Sequence, residues 1–129
     1  HYYVCAKSET RVLFIAYEHV IKRCENACKF HSQLVSNLLQ MIALRASQQA
    51  SRIYVLSRNS IRKKIMTYLN SIAAEKQTKT VILPMSYTTL AEYLSVDRSA
   101  MMREMKNLVD EGIIERDGKK LRILESKSS

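Results

Sequence analysis

Residues 31 to 57 contain neither glycine nor proline, and within them Val35, Leu39, Ile42, Ala46, Gln49, Ile53 and Leu56 recur at unbroken intervals of four and three. That spacing keeps one apolar stripe on one face of a helix and is the seam of a coiled coil, widened near its start by Leu34, Leu38 and Met41. A helix of about 27 residues reaches roughly 40 Å at 1.5 Å per residue, more than so small a chain covers by folding back on itself. The stripe therefore predicts either a two-fold dimer seam or burial against an upstream domain, and the two are compatible on different faces. Gln49 at a seam position costs some stability and can fix register.

The segment 85 to 124 has a different grammar. Ser86 is placed to cap a helix whose inward stripe is Leu90, Ala91 and Leu94. A break follows at Ser95-Val96-Asp97. Asp97 then caps a second helix in which Met101, Met105 and Leu108 pack one face, while Arg98, Ser99, Met102, Arg103 and Lys106 fall on or near the others. Gly112 tolerates the left-handed conformation that ends helices, and Asp117-Gly118 between extended residues favours a tight hairpin. The hairpin tip carries Arg116, Lys119, Lys120 and Arg122 against Glu115 and Asp117. Two short helices, a tight turn and a basic hairpin outline a winged helix-turn-helix, a shape that lays its second helix in the DNA major groove.

Between these parts, Ser57-Arg58-Asn59 is the expected hinge. Ile61, Ile65, Met66, Leu69 and Ile72 mark a helix that covers the helix-turn-helix from behind, and Val81-Ile82-Leu83 is a short strand that Pro84, just beyond it, confines to an edge or end. Upstream, Tyr2-Tyr3-Val4 and Val12-Leu13-Phe14-Ile15 read as two strands with no sheet to join, which suggests the tail of a larger domain. Residues 17 to 28 carry a short helical segment.

Lysine and arginine number 21 against 12 acidic residues, a formal charge of +9. The sign favours a polyanionic partner, but the excess is spread along the chain and supports DNA binding only weakly. No run of eighteen apolar residues spans a membrane and the start lacks the order of a signal peptide, so the expected location is the cytoplasm, with no membrane partner. Catalysis finds little support: there is no glycine-rich phosphate loop and no HExxH, and the two glycines are accounted for by a helix end and a turn. Cys24, Cys28, His31 and His19 are spaced so that a zinc site is geometrically conceivable, although cysteines on short helices are more often buried small hydrophobes.

Ser86 through Ile114, with Leu90-Ala91, Leu94, Val96-Asp97-Arg98-Ser99, Arg103-Glu104 and Glu111-Gly112-Ile113-Ile114, resembles the C-terminal signature of the CRP/FNR family of bacterial transcription regulators. Arg62-Lys63-Lys64-Ile65-Met66-Thr67-Tyr68-Leu69 resembles that family's first DNA-domain helix. Ala6-Lys7-Ser8-Glu9-Thr10 with Leu13-Phe14-Ile15 resembles the end of its cyclic-nucleotide-binding type β-roll.

The resemblance implies a mainly α chain with a small β component, in three parts. Residues 1–30 would be a remnant of an effector-sensing β-roll with short helices, 31–57 a long dimerisation helix, and 58–129 a winged helix-turn-helix domain, most of the roll lying upstream. It further implies a homodimer that reads a palindromic site on double-stranded DNA, meets RNA polymerase if it is an activator, and answers to a small effector of unknown identity, with no cofactor in this chain. By position, Arg98, Ser99 and Arg103 would meet bases. The chain departs from many relatives at Ser99, where they carry glutamate, and at Met102, where they often carry a small residue. Tyr87, Thr88, Lys106, Lys119 and Lys120 are better placed for phosphates. Ser47 and Gln48 fall near the point where cyclic-AMP-binding relatives present a Thr-Ser pair to the nucleotide. Two other readings stay open: a winged helix used only to dock proteins, and a cysteine-based metal or redox sensor that also binds DNA.

Overall fold

The computed structural model describes residues 3–6, 8–22 and 29–124. The chain divides into two units, His1–Arg45 and Ala46–Ser129, with one long helix running from the first into the second.

In the first unit, helix α1 covers Tyr17–Ile21 and helix α2, Lys29–Leu56, begins. Of the two expected strands, Tyr2 lies outside the described residues, and the remainder form neither helix nor strand. Val4, Leu13 and Phe14 are exposed, as befits extended residues with no neighbouring strand to take their backbone hydrogen bonds. The helix expected over 17 to 28 is a single short turn as far as it is described, and Cys24 and Cys28 fall outside the described residues. Ile15, Val20, Val35, Leu39 and Ile42 line an apolar groove along the start of α2.

The second unit contains the end of α2, then helix α3 (Ile61–Glu75), strand β1 (Thr80–Ile82), helices α4 (Tyr87–Leu94) and α5 (Arg98–Asp110), and strands β2 (Ile114–Asp117) and β3 (Lys120–Ile123). The sheet order is β1-β3-β2, antiparallel throughout, with Val81 opposite Leu121 and Arg116 opposite Leu121 on its other side. Ile65 and Leu69 from α3, Leu90 and Leu94 from α4, Met101, Met105 and Leu108 from α5, and Val81, Ile114 and Leu121 from the sheet form one buried core. Val55, at the end of α2, is buried in the same core, so the last turn of the long helix is part of this unit and not merely its tether.

Caps set the boundaries. Ser60, Ser86 and Asp97 each accept, through the side chain, a backbone N–H three residues on. At the other ends, α3, α4 and α5 all close in the same way. Gln77, Ser95 and Gly112 have positive φ, and paired backbone bonds, such as Val96 N to Ala91 O at 3.0 Å and Ser95 N to Glu92 O at 3.1 Å, satisfy terminal carbonyls. Glycine is at home in that conformation; serine is not. Replacing Ser95 (φ 51°) with glycine is therefore expected to stabilise the unit by up to about 1 kcal/mol, read as a raised denaturation midpoint, the gain being limited by glycine's greater freedom when unfolded. Gly118 (φ 54°) is the first of the two loop residues between β2 and β3, the place where a tight hairpin of the II′ kind requires glycine.

Candidate nucleic-acid interface

Helix α5 divides cleanly between two environments. Met101, Met105 and Leu108 are fully buried, whereas Arg98, Ser99, Arg103 and Lys106 stand on its solvent side, with Met102 half-buried between them. For Arg103 the division follows from the spacing: residues three and four apart share a face, so fixing the methionines and Leu108 inward turns Arg103 outward, whereas Arg98, three residues before Met101, is exposed as the first residue of the helix. Thr88 at the start of α4 and Lys119 and Lys120 on the hairpin are exposed as well.

Two expected contacts acquire internal partners. The Ser99 hydroxyl donates to the Asp97 carboxylate at 2.5 Å, beside the Ala100 N–H that caps the helix at 2.8 Å. Its proton is thus committed, and what it offers outward is an acceptor. The Tyr87 hydroxyl donates to the Gly118 carbonyl at 2.5 Å, and the Arg116 guanidinium lies 5.8 Å from its ring centroid. Burial pushes the Tyr87 phenol up, which keeps that proton in place. Tyr87 thereby fastens the tip of the hairpin to the start of α4.

Sequence reasoning missed the residue that secures α5 from behind. Arg62 of α3 donates through Nε to Glu104 at 2.5 Å and through both terminal nitrogens to Glu111 at 2.5 and 2.7 Å, gripping the middle and the C-terminal end of α5 together. A partner 42 or 49 positions away leaves no periodic trace in a sequence; the only signal was a lone arginine on the helix predicted to lie behind. The Arg62 guanidinium holds the Glu111 carboxyl below its usual value, and the Ser99 hydroxyl, followed by the Ala100 N–H, does the same for Asp97. Carboxylates with depressed values stabilise the fold fully above the ordinary carboxylate range and lose that contribution as pH falls through the depressed values. Thermal melts taken from neutral pH down to about 3 should show a falling midpoint, and Asp97→Asn, which keeps a capping oxygen without the charge, should flatten part of that fall.

Along α2, Leu39, Ile42 and Ile53 are each more than 60 % exposed, as are Met41 and Leu44 beside the seam, while Ala46 and Gln49 are exposed and Val35 and Leu56 half-buried. The stripe is largely uncovered by the described residues of its own chain. Ser47 and Gln48 are exposed on the same helix. His19 is exposed and His31 half-buried, and among the described residues no three metal-binding side chains converge. No helix among them is long and apolar enough to cross a membrane.

Three helices capped in register, a three-stranded sheet ending in a hairpin, and a helix with arginines on its open face define a winged helix-turn-helix. The family model for the Crp-like helix-turn-helix domain matches residues 63–127, half of the chain, and the chain belongs to that family of transcription regulators, the CRP/FNR type. It is 38% identical over 69 residues to the probable transcriptional regulator flp of Lacticaseibacillus casei, a match that takes in 54% of this chain and 32% of that one. Its fold is similar to that of FixK2 from Bradyrhizobium japonicum, with a TM-score of 0.62 at 20% identity over 78% of this chain and 52% of the other. The chain thus spans about a third of the curated relative and about half of the solved structure that it matches.

Proposed function

We propose that this chain is the dimerisation and DNA-reading part of a bacterial, cytoplasmic regulator that binds a palindromic promoter site under the control of a small effector held by residues upstream. The observation that carries this reading is the division of α5, whose apolar side is locked into the core while Arg98, Ser99 and Arg103 are all exposed. Arg103 suits a bidentate grip on guanine O6 and N7; Arg98 serves as a second base reader or a phosphate clamp; Ser99 accepts from a base amine. Thr88, Lys106, Lys119 and Lys120 hold phosphates and so set register without reading sequence. In this scheme residues 1–30 complete the effector domain, 31–57 form the dimer helix and 58–129 the reading head. Ser47 and Gln48 stand near the effector, and RNA polymerase is a further partner if the protein activates.

The uncovered stripe on α2 is what a parallel helix pair would bury, and pairing two heads symmetrically would bring their α5 helices about one DNA turn, roughly 34 Å, apart. Sedimentation of the whole protein and of an Ile42→Asp, Ile53→Asp variant tests the assembly. The parent is expected to sediment as a dimer and the variant as a monomer with the melting of its head unchanged. A parent that remains monomeric at concentrations well above those used for DNA binding would overturn the two-fold reading.

A further inference from the structure

Helix α4 ends with four carbonyls that its own ladder leaves open, and all four have donors from elsewhere. Ala91 and Glu92 receive the backbone N–H groups of Val96 and Ser95. Leu94 O receives Lys64 Nζ of α3 at 3.2 Å, and Tyr93 O receives Arg52 Nε of α2 at 3.3 Å. The Arg52 guanidinium also lies over the Tyr93 ring, 5.1 Å from its centroid, and that ring packs on Tyr68 of α3 with centroids 5.4 Å apart. A cation at the C-terminal end of a helix meets the negative end of its dipole, and a guanidinium can stack on an aromatic face and donate in its own plane at once, which an ammonium cannot. One turn further along α2, Val55 is buried in the core of the head. Beyond it the expected hinge is itself stitched: Ser57 Oγ donates to Tyr54 O at 2.8 Å, and Arg58 covers the Tyr54 ring at 4.1 Å while its Nε donates to the same carbonyl at 3.2 Å.

From this geometry we infer that Arg52 is a positioning residue for DNA recognition, a latch that fixes the helix-turn-helix against the end of α2 and thereby sets the half-site spacing that the protein accepts. The inference rests on the two-fold reading above. With Val55 seated and Arg52 latched, the turn between α4 and α5 cannot swing about residues 57–59 independently of the seam, so the separation of the two recognition helices is a property of the rod. Without the latch the hold on α4 is weakened, and each head can rotate about Val55 to follow sites placed differently.

The test uses the whole protein and duplexes selected from a random pool by the parent, then altered by adding or removing one base pair between half-sites. The parent should prefer its selected spacing by about tenfold or more, since one base pair both shifts and rotates a half-site. Arg52→Ala should bind the altered spacings to within about threefold of the original, with single-base preferences inside each half-site unchanged, and Arg52→Lys should not restore discrimination. Tyr93→Leu, which removes the stacking surface and leaves the carbonyl, should show an intermediate loss and serves if Arg52→Ala folds poorly. An Arg52 variant that keeps the full spacing preference overturns the inference, whether or not its melting temperature falls. So does one that weakens all spacings equally with a shallower salt dependence, which would make Arg52 a phosphate contact. A parent that selects only single half-sites contradicts the two-fold reading, and the inference falls with it.

Discussion

Alanine at Arg103 is expected to cost about 1 to 3 kcal/mol at the best operator and to flatten preference at one symmetric base-pair position, leaving thermal stability unchanged. The side chain stands on the open face of α5 and contributes nothing to the core, so its removal takes away a two-pronged donor and no packing. Lys119→Ala and Lys120→Ala should behave differently. Each should weaken every sequence about equally and lower the salt dependence by roughly one counterion, as loss of a phosphate contact does. Titrating the three variants against the operator and its single-base derivatives at several salt concentrations separates the roles. An Arg103 variant that loses affinity uniformly, with preference intact, would be a backbone clamp.

The larger effect lies on the opposite face of the same helix. Leu108→Ala removes a fully buried side chain and should destabilise the head by about 2 to 5 kcal/mol, the transfer and cavity terms together. Small domains have only about 5 to 15 kcal/mol in all, so a loss of this size brings a head at the lower end of that range close to its unfolding midpoint at physiological temperature. DNA binding should be lost through unfolding, and at low temperature, where the variant is still folded, its base preferences should match the parent's. Denaturant melts followed by helical circular dichroism, run beside cold binding titrations, check both halves. A variant that melts like the parent would mean that α5 does not depend on this contact.

The head was legible in the sequence because each of its signals is local. Ser86 and Asp97 cap, Leu90, Leu94, Met101, Met105 and Leu108 keep helical periodicity, and Gly112 and Gly118 sit where φ is positive. Agreement among such signals is what fixes one fold. What could not be read is whatever depends on distant chain. The grip of Arg62 on Glu104 and Glu111, and of Arg52 on α4, joins residues more than forty apart, and neither charge pattern nor spacing encodes it. The bond from Tyr87 to Gly118 likewise joins residues 31 apart, and only the folded hairpin brings them together. The strands expected before residue 16 failed for a complementary reason, since an extended segment becomes a strand only when another pairs with it. The zinc reading fell on residues outside those described, apart from His19 and His31.

On this reading two copies of α5, held by a shared α2 seam, read a symmetric duplex through Arg103 and its neighbours. Selection of bound duplexes from a random pool by the whole protein, followed by sequencing, tests it most directly. The expected result is enrichment of an inverted repeat whose half-sites are centred about one helical turn apart, each with a guanine position that loses its enrichment when Arg103 is replaced by alanine. Recovery of duplexes with no common sequence, or of the same inverted repeat with the same guanine from the Arg103→Ala protein, would contradict it.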